Sequence, residues 1–253
     1  GARYGDFEVG TQAAGSGVLR GINFNANTTF SSGVMFNDGI DFVGDHIRIG
    51  RAAGSGFEDP VDDINIGRSA GKAAKGNRSI AIGYASAFES SGQRTIFIGD
   101  EAGRYADLAT SVIGIGFKSN YQSSGNTFSV NIGYQSALGS SGTSQSVFIG
   151  QDAGQHAWHA ANSVAIGRRT LAFSEEAQFV TAMGYLAASG TSGCKDAIML
   201  GYGAGTNASG LEQSVLIGKD AGQNSYTFNK SVAVGWQAGY GAKDSDYSTF
   251  LGP

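Results

Sequence analysis

The sequence predicts an all-β chain, a parallel β-solenoid of 17-residue coils. Three observations predict it: a Gly-rich and Pro-poor composition, a short phrase recurring at fixed spacing, and small residues at fixed places between recurrences. The 253 residues include 41 Gly and only 2 Pro, and 15 % are charged, against about 25 % in ordinary soluble domains. Gly without a Gly-X-Y period, mixed with many Ile, Val and Phe residues, excludes a collagen triple helix and argues against disorder. Glycines in such numbers serve as turns.

The recurring phrase is aliphatic-x-aliphatic-Gly-x-x-small. It places its glycine at Gly50, Gly67, Gly83, Gly99, Gly116, Gly133, Gly150, Gly167, Gly184, Gly201, Gly218, Gly235 and Gly252, in ten steps of 17 residues and two of 16. The residue before the glycine is always aliphatic, from Ile49 to Leu251, and the one two places earlier is Ile or Val in all copies but Thr181 and Thr249. Side chains alternate across a strand, so these two aliphatics share a face, expected to be the core face. The residue between them is then expected to face outward. Yet it is apolar in nine of thirteen copies: Ala81, Phe97, Phe148, Ala165, Ala182, Met199, Leu216, Ala233 and Phe250. A strand apolar on both faces is buried on both, which predicts coils packed against neighbouring chains.

The third residue after each glycine is small, from Ala53 to Ala238, as a tight corner requires, and is often followed by a glycine such as Gly103 or Gly154 that supplies a positive φ. The seventh is small from Ala74 to Ala242, with Phe57 the departure. Seventeen residues cannot bury their own apolar stripe, whereas stacked coils bury it continuously. At about 4.8 Å per coil, twelve coils make a rod of about 60 Å. The solenoid is thus expected over residues 46–253, and the stop at Pro253, directly after a repeat glycine, predicts truncation within it. Residues 1–45 lie outside the period. Gly21-Ile22-Asn23-Phe24 and Val34-Met35-Phe36 are strand-like, so this segment is expected to be a β-rich cap or small module.

The phrases Ser163-Val164-Ala165-Ile166-Gly167, Ser231-Val232-Ala233-Val234-Gly235 and Val147-Phe148-Ile149-Gly150-Gln151-Asp152-Ala153-Gly154 resemble the head repeats of trimeric autotransporter adhesins. They are also similar to repeats of bacteriophage tail fibres and related trimeric bacterial surface fibres. The resemblance spans the whole periodic region. It implies a homotrimer of left-handed parallel β-rolls, extracellular on a bacterial surface or a virion fibre, whose task is attachment to a cell-surface glycan or protein receptor. The familiar adhesin coil is shorter, so longer variable loops are expected here, and no membrane-anchoring barrel is expected within these residues, which leaves adhesin and fibre both open.

Six residues directly after a repeat glycine are aromatic: Tyr84, Phe117, Tyr134, Tyr185, Tyr202 and Trp236. Stacked at coil spacing, they are candidates for a glycan platform or for stacking on each other or on a neighbouring subunit. Trp158, in Gln155-His156-Ala157-Trp158-His159, is a further candidate ligand contact. That stretch lacks a third metal ligand and reads as a solvated loop. The acidic pairs Asp62-Asp63, Asp100-Glu101 and Glu175-Glu176 are adjacent in sequence, an arrangement that suits surface charge and not paired-carboxylate catalysis.

A net charge of −4 without a Lys/Arg cluster speaks against nucleic acid, and no apolar run approaches membrane-spanning length, so direct membrane insertion is not expected. A lone Cys194 reads as a small apolar residue. No catalytic residue, cofactor or metal is expected. Two alternatives stay open: a purely structural fibre shaft, and a left-handed β-helix acyltransferase, whose Ile-Gly-x-x-Ala hexapeptide is similar but recurs three times per coil and works with a histidine base that His46, His156 and His159 do not match in context.

Overall fold

A computed structural model of the chain describes residues 46–56 and 63–252. The expected N-terminal module of residues 1–45, and with it Phe57, Asp62 and the end at Pro253, lies outside the described residues. The predicted β-solenoid is what forms. Thirteen strands of three or four residues run from β1 (His46–Ile49) and β2 (Asp63–Ile66) to β13 (Thr249–Leu251), in one parallel sheet whose order is the order of the sequence. The register keeps the repeat phrase aligned: Val147 pairs with Val164, Phe148 with Ala165 and Ile149 with Ile166.

Backbone hydrogen bonds tie each coil to both neighbours. In the coil opened by Gly150, the amides of Gly150, Asp152, His156, His159 and Asn162 donate to Ile132, Tyr134, Leu138, Ser141 and Ser144 of the coil before, at 2.8–2.9 Å. Those of Gly154, Trp158 and Val164 donate to Thr170, Ser174 and Val180 of the coil after, at 2.8–2.9 Å. Serving neighbours on both sides bends the backbone repeatedly. Among the described residues forty non-glycine residues have positive φ, Leu171 (54°), Phe173 (55°) and Phe179 (56°) among them, at the same places in successive coils. A left-handed conformation costs an L-residue about 1–2 kcal/mol, which here is offset by coil-to-coil bonding. The expectation that glycine supplies the positive φ is therefore too narrow.

At the repeat glycine, glycine is obligatory. Its φ lies between 121° and 139° from Gly50 to Gly235, and a Cβ there would sit 2.3–2.8 Å from the carbonyl oxygen of the next repeat glycine. Neither the dihedral nor the space admits a side chain.

The two faces of the strand are the reverse of the expectation. The middle residue points inward: Phe97, Phe148, Ala165, Ala182, Met199, Leu216 and Ala233 are fully buried, while the flanking aliphatics point out, with Ile49, Met183 and Ile198 at 47, 43 and 40 % exposure. The physical reason is the narrow bore of the coil. Six inward columns share it, and they are mostly Ala, Ser and Gly, so a pair of branched aliphatics from every strand has no room inside. In a coil this thin, small residues mark the inside.

That interior is matched in size. Where the middle residue is large, the fourth residue after the following glycine is itself glycine: Phe97 with Gly103, Phe148 with Gly154, Met199 with Gly205, Leu216 with Gly222. A Cβ on any of these glycines would fall 2.3–2.5 Å from the partner side chain. Two small middle residues have a larger partner, Gly114 with Asn120 and Ala165 with Leu171, whereas Ala182 meets Ala188 and the space beside Ala233 and Gly239 is filled by Phe228. The serine opening each Ser-Val-x-Ile-Gly phrase is a buried bridge. Ser146 Oγ reaches the Ala160 carbonyl at 2.9 Å and accepts from the Ser163 amide at 3.3 Å, and Ser163 Oγ accepts from the Val180 amide at 3.1 Å. The apolar core falls into two clusters, one ending at Val112 and one starting at Ala137. Between them lie the buried amides Asn120, Asn126 and Asn131, and Asn131 has no protein partner for either amide atom.

Two stability outcomes are expected. Gly150→Ala should cost about 3 kcal/mol or more, as backbone strain plus an unavoidable clash, read as a lower denaturant midpoint at unchanged slope. Phe148→Ala alone should cost about 3–5 kcal/mol and Gly154→Leu alone should overpack. The double variant reproduces the natural Ala165/Leu171 pair and should recover more than about 1 kcal/mol relative to the sum of the single changes. Additive losses in that cycle would contradict the size-matching account.

Candidate functional site

The outward surface carries what chemistry the chain has, because the interior is packed and the corners are backbone. Two lateral faces matter. The first is the residue directly after the repeat glycine, which stands beside the outward aliphatics. There Phe117 and Tyr134 stack with centroids 5.2 Å apart and planes 16° apart, and Tyr185 and Tyr202 meet at 5.0 Å and 34°. Coil spacing sets this separation. Arg168 lies 5.7 Å over Tyr185 and Lys219 5.6 Å over Tyr202, so that pair is capped by a cation at each end. Arg68 lies 5.6 Å over Tyr84.

The six aromatic residues expected in this column are thus brought together in part. Two pairs form, whereas Asp100, Gln151 and Lys219 interrupt the column and leave Tyr84 and Trp236, both about half exposed, outside the pairs. Trp158 stands on a different face, in a ladder Ser124–Ser141–Trp158–Glu175 of paired coils. A second aromatic run was not anticipated. Phe88, Tyr105 and Tyr121 meet edge to face at 5.9 Å, with the Arg104 guanidinium 5.1 Å from Phe88 and 4.8 Å from Tyr105. Arg104 also pairs with Glu101 and donates to Tyr105 Oη at 2.9 Å, and Lys118 reaches Glu101 at 3.3 Å. These rings lie five or six residues past their repeat glycines, an offset the repeat frame could have revealed.

The acidic pairs differ from one another. Glu175 and Glu176 are exposed and Glu101 is ion-paired. Asp63, expected at the surface, is buried and accepts the Ser79 amide at 2.7 Å; it holds a corner in the coil that ends at Gly83. His156 and His159 are exposed as expected, and His156 stacks on Phe173 at 5.4 Å. Among the described residues no group of three or more His, Cys, Asp or Glu is placed to hold a metal ion. A notch of about 200 Å³ lined by Asn77, Arg78, Gln93 and Arg94 lies where the two 16-residue coils shorten a corner.

Cys194 is fully buried, its Sγ 3.7 Å from the Ser192 carbonyl, and burial pushes its thiol up from 9.0 to about 11. A protonated, enclosed thiol is not a nucleophile. No protein-family model matches the chain, and no curated protein is significantly similar to it.

Cys194 gives a pH dependence with a definite sign. The unfolded thiol ionises first, so stability is expected to be flat below about pH 8 and to fall between about pH 9 and 11, by up to about 2–3 kcal/mol. The fall should disappear in Cys194→Ala. Thiol reagent at pH 8 should label the native protein only at the rate of unfolding.

Proposed function

We propose that this chain is a segment of an extracellular trimeric fibre that attaches to a cell-surface glycan or protein. One observation carries the proposal. The outward face of the thirteen-stranded sheet is a nearly unbroken double row of Ile, Val, Leu and Met from Ile49 to Leu251, in which Ile49, Ile149, Met183, Ile217 and Leu251 are exposed by more than a third and most of the others are half-buried. A lateral stripe of that length is larger than a soluble monomer normally leaves in water. A second and third copy, presenting the same stripe to a common axis, cover it without demanding a partner of different shape.

Three copies rather than two follow from the likeness of the Ser163-Val164-Ala165-Ile166-Gly167 phrase to repeats of trimeric adhesins and fibres. With the aliphatic rows turned to the axis, the variable residues on the far side of each coil face outward and are repeated three times on one rigid rod. Weak sites so displayed gain avidity through effective concentration.

Sedimentation of the full chain at micromolar concentration should give a mass of three chains, and Ile149→Asp with Ile166→Asp should give a folded species of lower mass with the same β-sheet circular dichroism. A monomeric wild type would overturn the assembly. Surface-immobilised protein should retain cells of its host that bare surface does not. Failure to retain any cell type or glycan would leave a structural shaft as the better description.

A further inference from the structure

One place on the outward surface combines an unstacked aromatic ring with idle hydroxyl groups. In the coil opened by Gly133, Ser141 and Gly142 occupy the eighth and ninth positions after the glycine, and in the coil before it Ser124 and Gly125 do the same. Neither Ser124 nor Ser141 uses its hydroxyl in a hydrogen bond to the described protein, in contrast to the buried serines, whose hydroxyls bridge coils. With no side chain longer than serine at these two positions in either coil, this part of the rod is a low shelf about 10 Å deep along the axis, with the exposed Phe128 three residues further along the coil. At one end rise Trp158 and His159 and at the other Asp107 and Leu108, in the same two positions of the flanking coils. Trp158 is 54 % exposed and meets no other ring, and Leu108 is 66 % exposed.

Glycine is what makes room for the wall. A Cβ on Gly142 would lie 2.7 Å from the His159 ring and one on Gly139 would lie 2.5 Å from His156, so both imidazoles lean over the preceding coil, with His156 held from the other side by Phe173 at 5.4 Å. The His159 ring therefore covers Gly142, which leaves Ser124, Gly125 and Ser141 as the open part of the shelf, with His159 and Trp158 at its upper end. Sugars are recognised by this combination: an exposed aromatic face for the apolar C–H face of a pyranose, and unoccupied hydroxyl groups for its polar edge.

Charge selects within that class. The eighth and ninth positions from Asp107 to Glu176 include no Lys or Arg, and carboxylates bound the shelf on both sides, Asp107 below and Glu175 with Glu176 above. Sialylated or sulfated chains would meet like charge there. We propose that the Ser124–Ser141 shelf, walled by Trp158 and His159, is a subsite for one or two pyranose units of a neutral glycan. This rests on the attachment reading and names the ligand class for it.

The test uses the full chain and defined oligosaccharides: neutral glucose, galactose and N-acetylglucosamine oligomers beside sialylated and sulfated ones, followed by titration calorimetry and saturation-transfer NMR. At least one neutral series should bind, Trp158→Ala should weaken it at least tenfold, and Ser141→Ala, which removes only the hydroxyl, should weaken it several-fold. Trp236→Ala, equally exposed but on the other face, should leave it unchanged, with all variants matching the wild-type melting temperature. Undiminished binding by Trp158→Ala, a preference for sialylated or sulfated chains, or no binding to any neutral series would each overturn the subsite. Cell retention separates this from the broader reading: a Trp158→Ala protein that still holds cells as wild type does refutes the shelf and leaves attachment standing, whereas a wild type that holds none refutes both.

Discussion

The structure depends on the contact between successive repeat glycines. Each presents its Cα within reach of the next glycine's carbonyl, at φ values near 130° where an L side chain is excluded. That contact sets the place where strand becomes corner, and because it is identical from coil to coil it keeps every later column in register. A chain with this constraint can vary almost anything else. It tolerates two coils of 16 residues, since the missing residue is taken from a corner remote from the glycine, with Gly76 and Gly92 filling the inward position of the shortened turn.

Register in turn explains the left-handed residues. A lone leucine or phenylalanine at positive φ is a strained outlier in most folds. Here Leu171, Phe173 and Phe179 take it because the amides on either side are bound to coils above and below, and relaxing one residue would break ladders in both directions. The cost is distributed along the rod and met by the same bonds that stack it. Stability then resembles a sum over neighbouring coils, not a single core with a centre.

The period, the parallel strands and the corner positions were readable in the sequence because each is a repeated choice of residue. The direction of the strand faces was not. Ile-Val pairs such as Val147 and Ile149 are the bulkiest and most regular feature of the repeat, and bulk normally marks the inside. The decisive information lay in a covariation across six residues, large with glycine and small with large, as in Phe148 with Gly154 against Ala165 with Leu171. Size complementarity of that kind is a property of an enclosed volume, so it identifies the inward column. The aromatic column was legible as a column, but its division into pairs depends on Asp100, Gln151, Arg168 and Lys219, whose effect is visible only when neighbouring coils are laid on each other. Trp158 stood out in sequence for its type alone. What surrounds it, the low Ser-Gly coils and the leaning histidines, is a relation between coils 17 residues apart.

The interior beneath that surface differs from the rest of the rod. Between the two apolar clusters the coils carry Asn120, Asn126 and Asn131 where others carry Ala, Leu or Phe, and the Asn131 amide lacks any protein partner. An unpaired buried amide costs about 1–3 kcal/mol. In a fold whose stability is local, the cost falls on the coils from Gly116 to Gly150 and makes them the part most readily opened. Those coils are the ones whose outer face is lowered to Ser124-Gly125 and Ser141-Gly142. Unpaired buried amides occur at Asn65 as well, but only between Gly116 and Gly150 do they coincide with a lowered outer face. Departures of this kind are where a repeat scaffold accommodates something other than its own stability.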